Sequence, residues 1–123
     1  MRESKLWAWH IVSAVVILVL LGLHMGTMHL GAILSFIGLG STDPVAAEHV
    51  FARSRQAAYM VGYIILLGSG LFHGLYGLRS IVFELSIPKG LKKTVGSLCA
   101  IVGIGLFIYG SYVAVMLSRG VQQ

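Results

Sequence analysis

Five histidines stand at positions 10, 24, 29, 49 and 73 of a 123-residue chain, and three of them, His24, His29 and His73, fall within long apolar runs. An imidazole in such a run needs a partner, because an unpaired polar ring in hydrocarbon is costly. Two partners are open. One is a backbone carbonyl on a neighbouring helix, the commoner outcome for a lone membrane histidine; the other is the iron of a haem, for which imidazole is a standard axial ligand. Around His73, the residues Gly62, Ser69, Gly70, Gly77, Ser80 and Glu84 all lie within ~60° on a helical wheel. Tiny side chains around one imidazole leave room for a flat macrocycle, and they suit close helix packing equally well.

The elements that position these rings follow from composition. With 57% hydrophobic and 11% charged residues, the chain has too little polar surface to coat a soluble globule. Residues 6–42, 56–78 and 94–118 carry no Asp, Glu, Lys or Arg, and each is at or beyond the ~20 residues that a spanning helix needs. The expected fold is an all-α membrane protein of one domain. Its three transmembrane helices run over about 6–37, 56–84 and 94–118, with an outer loop from about 38 to 55 and a short "LSIPKGLKK" turn. The first apolar run is longer than a signal-peptide core and is expected to stay as a helix.

Lys and Arg set the orientation. Arg2, Lys5, Arg79, Lys89, Lys92 and Lys93 fall on one side, and Arg53, Arg55 and Arg119 on the other. The N-terminus and second turn are therefore expected in the cytoplasm, with Trp7 and Trp9 in the inner interfacial belt. The net charge of +5 is spread over helix ends with no aromatic-interleaved patch, so no nucleic-acid partner is expected. Cys99 is a lone cysteine in the third helix and is assigned to packing. No phosphate loop, activated nucleophile or carboxylate pair is present, so hydrolytic chemistry has no support. Gly96, Gly103 and Gly110 recur at heptad spacing, where a neighbouring backbone can approach closely. Small-residue faces on three helices point to a larger assembly.

The stretch "FHGLYGLRSIVFEL", residues 72–85, carries His73, then Gly77, Arg79 and Glu84 at four, six and eleven residues on. This pattern resembles the second-helix signature of the membrane-anchor (cytochrome b) subunits of succinate dehydrogenase and fumarate reductase. The run "WHIVSAVVILVLLGLHMGTMHL", residues 9–30, is similar to the family's first helix, with His10 and Ser13 at its polar positions. The sequence departs from the family at Ile11, where an arginine is frequent, and at Leu85, where one anchor type has tyrosine. The resemblance implies that His73 is an axial ligand of haem b. It implies a helical bundle completed by a second membrane-anchor subunit, and docking of an iron–sulfur and a flavoprotein subunit. The chain would then be a non-catalytic subunit of respiratory complex II, a tricarboxylic acid cycle enzyme, in a bacterial or archaeal membrane. Succinate would be oxidised on other chains, and quinone would be the electron-exchange substrate.

If Trp9 and Arg79 mark one interface, His73 lies ~9 Å deep and His24 ~22 Å deep at 1.5 Å per residue. Axial ligands of one iron sit at similar depths, so His24 and His73 are expected on two haems, each completed by the partner subunit. His29, ~140° round the helix from His24, is expected as a hydrogen-bonding or outer-interface residue, although either could be the ligand. His10, and with it Ser13, is a candidate for quinone; a solvated or carbonyl-bonded histidine is the competing identity for His10. His49 is expected to be solvated. Arg79, ~240° from His73, either pairs with a haem propionate or snorkels to lipid phosphate. Two rival functions remain: a haem-b anchor of another respiratory complex, and a structural membrane subunit without cofactor.

Overall fold

The computed structural model of the chain describes residues 2–38 and 57–120. Among them are three helices and no strand: α1 (Arg2–Phe36), α2 (Ala57–Glu84) and α3 (Lys89–Ser118). All three contain a stretch long and apolar enough to cross a membrane. The chain is thus an all-α membrane protein. The expected outer loop, with His49, Arg53 and Arg55, lies outside the described residues.

α1 begins at Arg2 and α3 at Lys89, four to five residues before the charge-free runs that the sequence marks. Charge bars a residue from the hydrocarbon and not from a helix, so the "KGLKK" segment is the first turn of α3 rather than a loop. The break between α2 and α3 is only "LSIP". Pro88 stands at the N-cap of α3 with φ −57° and ψ 144°, and the residue before a proline is driven out of the helical region. At the other ends, α1 runs out at Gly38 (φ 78°), and Gly120 (φ 62°) follows α3. These left-handed conformations favour glycine.

The helices form an open row. α2 packs against both α1 and α3, and α1 and α3 do not pack against each other. The α2–α3 contact uses the heptad glycines: Leu67 lies over Gly110, Leu75 over Gly103, and Phe83 and Arg79 over Gly96. The neighbour of this glycine stripe is therefore α2 of the same chain, and what fills the gaps is its side chains, leucines at Gly103 and Gly110 and Phe83 with Arg79 at Gly96, rather than a close backbone. Ser13, 6% exposed, is the one buried side chain found among the described residues, and no apolar residue is buried to that extent. Apolar surface turned outward suits lipid, where helix association rests on packing and hydrogen bonds rather than on water exclusion.

Candidate functional site

The α1–α2 contact is built around two imidazoles. On α1, His10 and Ser13 are one turn apart and share a face; on α2, His73, Tyr76 and Gly77 do the same. His10 and His73 lie ring over ring, with centroids 4.1 Å apart and planes inclined by 24°. Tyr76 closes one side at 5.1 Å from the His10 ring. A Cβ at Gly77 would come within 3.5 Å of His10 Nε2, so a longer side chain there would press on the ring.

Hydrogen bonds fix both tautomers. His10 Nε2 lies 3.2 Å from the His73 carbonyl oxygen, and His73 Nδ1 lies 3.3 Å from the His10 carbonyl oxygen. A carbonyl only accepts, so each of these ring nitrogens carries the proton. Ser13 Oγ donates to the His10 carbonyl at 2.7 Å and accepts a second share of the His73 Nδ1–H at 3.3 Å. The result is a reciprocal clamp in which each imidazole donates to the other residue's backbone. His10 thus bonds a carbonyl through Nε2, and Ser13 joins the clamp through the His10 carbonyl and the His73 ring. His73 Nε2, the remaining nitrogen, makes no hydrogen bond among the described residues.

The sequence placed His10 at the interface and His73 ~9 Å deeper; the structure sets the two rings level. A usable signal was present. His10 stands five residues from Lys5 and His73 six from Arg79, and those cations mark the same side of the membrane.

His24 lies farther along the α1–α2 seam, edge-on to Tyr63 with centroids 5.5 Å apart. Its Nδ1 is buried without a hydrogen-bond partner. A cavity of about 280 Å³ adjoins it, lined by Leu20, Thr27, Tyr59, Gly62 and Leu66. Tyr63 is ten residues before His73 on α2, or ~15 Å at 1.5 Å per residue, so His24 and His73 serve separate levels of the seam. His29 is exposed. Arg79 turns away from His73 toward α3, with its guanidinium carbon 4.2 Å from the centre of the Phe83 ring. Tyr76 and Phe83 carry a sequence signal, each an aromatic one turn from a polar ring or a cation, His73 and Arg79; Tyr63 has none, because its partner His24 is on another helix.

As a haem site, the donor set around His73 fits one axial position. The ring is oriented by a carbonyl on Nδ1 and keeps Nε2 free of hydrogen bonds. Nothing would meet a Cβ within 4 Å at Gly70 or Gly74 beside it. Among the described residues no second ligand for the same iron is at hand, because the His10 ring stacks directly on His73 with centroids 4.1 Å apart and His24 lies at another level of the seam. No group of three or more metal-ligating side chains occurs among the described residues. Comparison with protein-family models, curated proteins and solved structures finds no match to this chain.

Proposed function

We propose that the chain is a membrane-anchor (cytochrome b) subunit of a succinate:quinone or quinol:fumarate oxidoreductase. In this reading His73 Nε2 would hold the iron of haem b from this chain, and a partner anchor subunit would complete the site. The observation that carries the reading is the pair of acceptors on His73 Nδ1, the His10 carbonyl and Ser13 Oγ. A metal-bound imidazole almost always donates its other ring N–H in this way, which fixes the tautomer and raises the basicity of the ligating nitrogen. Haem b held there would exchange single electrons between an iron–sulfur subunit and membrane quinone. The chain's own residues would orient the ring and exclude water, and the flavoprotein chemistry would lie elsewhere. His24 is the candidate for a second haem on the other side of the bilayer. Its unpaired Nδ1 still needs a donor or acceptor from the partner subunit.

The six-to-three division of Lys and Arg supports a cytoplasmic N-terminus and α2–α3 turn, where a soluble subunit would dock. The test is the visible spectrum and haem content of the purified assembly together with its co-purifying chains. A covalent-flavin subunit supports this complex; a haem protein with other soluble chains would point to another respiratory complex.

A second reading rests on the reciprocal hydrogen bonds. Two histidines that satisfy each other's backbone and stack at 4.1 Å can act as a helix clamp without any cofactor. A purified assembly with no Soret band would favour it.

A further inference from the structure

Four cations gather where α2 ends and α3 begins. Arg79, Lys89, Lys92 and Lys93 line an open recess of about 540 Å³ together with Phe83, Gly96, Ser97 and Ala100. Two of them are held in place without an acid. Arg79 lies over the Phe83 ring, and Lys92 Nζ donates to the Phe83 carbonyl oxygen at 2.6 Å. Glu84 is nearby in sequence, yet none of the four cations forms an ion pair among the described residues.

The recess does not end at the polar boundary. Arg79, Gly96 and Ala100 also line a largely apolar trough of about 590 Å³ on the face of α2 between α1 and α3, whose lining on the α1 side includes one acid, Glu3, beside Leu6; the four cations outnumber it. Leu71, Leu75, Cys99 and Gly103 continue it to Gly68 and Phe107. The trough exists because α1 and α3 flank α2 without closing on each other. From Arg79 to Gly68 is eleven residues, ~16 Å at 1.5 Å per residue, and one leaflet of a ~30 Å hydrocarbon core is ~15 Å deep.

We propose that this joined recess and trough is a binding site for one anionic phospholipid of the leaflet beside the α2–α3 turn. The phosphate sits among Arg79, Lys89, Lys92 and Lys93, and one acyl chain lies along the trough past Gly96 and Ala100. Unpaired cations next to a spanning helix attract anionic headgroups. A soluble acidic protein would use the cations but leave the trough unfilled. A free anion would do the same. The continuity of the two cavities is what favours a lipid over either.

The test is native mass spectrometry of the full chain, extracted in mild detergent with any chains that accompany it. It is titrated with phosphatidylglycerol, phosphatidylcholine or inorganic phosphate. Phosphatidylglycerol should be retained about tenfold better than phosphatidylcholine, since each cation near an anionic surface contributes measurably, and phosphate should not displace it. Lys92→Gln with Lys93→Gln should erase the preference, while Lys92→Arg with Lys93→Arg should keep it. Ala100 is exposed, so Ala100→Phe should block the trough without disturbing packing and should lower phosphatidylglycerol retention with all four cations intact. Equal retention of the two lipids, displacement by inorganic phosphate, or retention unchanged in Ala100→Phe would each overturn the proposal.

Discussion

His10 and His73 each donate a ring N–H to the other's backbone carbonyl, at 3.2 and 3.3 Å, across the α1–α2 seam. Ser13, the one side chain found buried among the described residues, bonds to both partners. Interhelical polar contacts in membranes contribute about 0.6 kcal/mol on average and up to about 1.7 kcal/mol. Ser13→Ala should therefore lower stability by about 0.5–1.5 kcal/mol, read from unfolding in mixed detergent micelles. A variant as stable as the wild type would mean that the Ser13 hydroxyl adds nothing to the hold of α1 on α2.

The α2–α3 seam should respond differently at neighbouring glycines. A Cβ at Gly103 would lie 2.8 Å from Leu75 Cδ1, whereas at Gly105 nothing lies within 4 Å. Gly103→Leu should cost about 1–3 kcal/mol through overpacking, and Gly105→Leu should be neutral or slightly stabilising, since glycine is a poor helix former. Equal effects of the two substitutions in the same unfolding assay would contradict the register of Leu75 over Gly103.

Much of this architecture was legible in the sequence, because the absence of charge over 56–78 and 94–118 leaves a membrane as the natural surrounding for those runs. The helical wheel also placed Arg79 away from His73, and it is found over Phe83. Pairing across the seams is legible only in part. Helix periodicity gives each face but not the vertical offset between helices, and Trp9 taken as the marker of the interface sets His10 and His73 at different depths. The cue to their level placement is the similar spacing of His10 from Lys5 and of His73 from Arg79; the stacking itself shows only when α1 and α2 are packed together. The true start of α3 was hidden for another reason: lysines end a membrane-spanning stretch without ending a helix, and the stop signal is Pro88.

Topology offers a separate check. With the α2–α3 turn in the cytoplasm, Cys99→Ala combined with Lys92→Cys should give a thiol that an impermeant reagent labels only after the cells are opened. Labelling in intact cells would reverse the orientation argued from the Lys and Arg distribution.

The most direct measurement for the proposed function is the pyridine haemochrome content and redox titration of the purified assembly, in the wild type and in His73→Ala, His24→Ala and His10→Phe. Membrane insertion depends on apolar length, so all four proteins should reach the membrane. The wild type should show two haem components of different potential, since their surroundings differ along the seam. His73→Ala should lose one component, His24→Ala the other, and His10→Phe should keep both while shifting the potential of the His73 component, because the ring that stacks on His73 is altered and the backbone carbonyl on Nδ1 remains. A wild type without haem, or a His73→Ala assembly with undiminished haem, would contradict the assignment of His73 as an axial ligand.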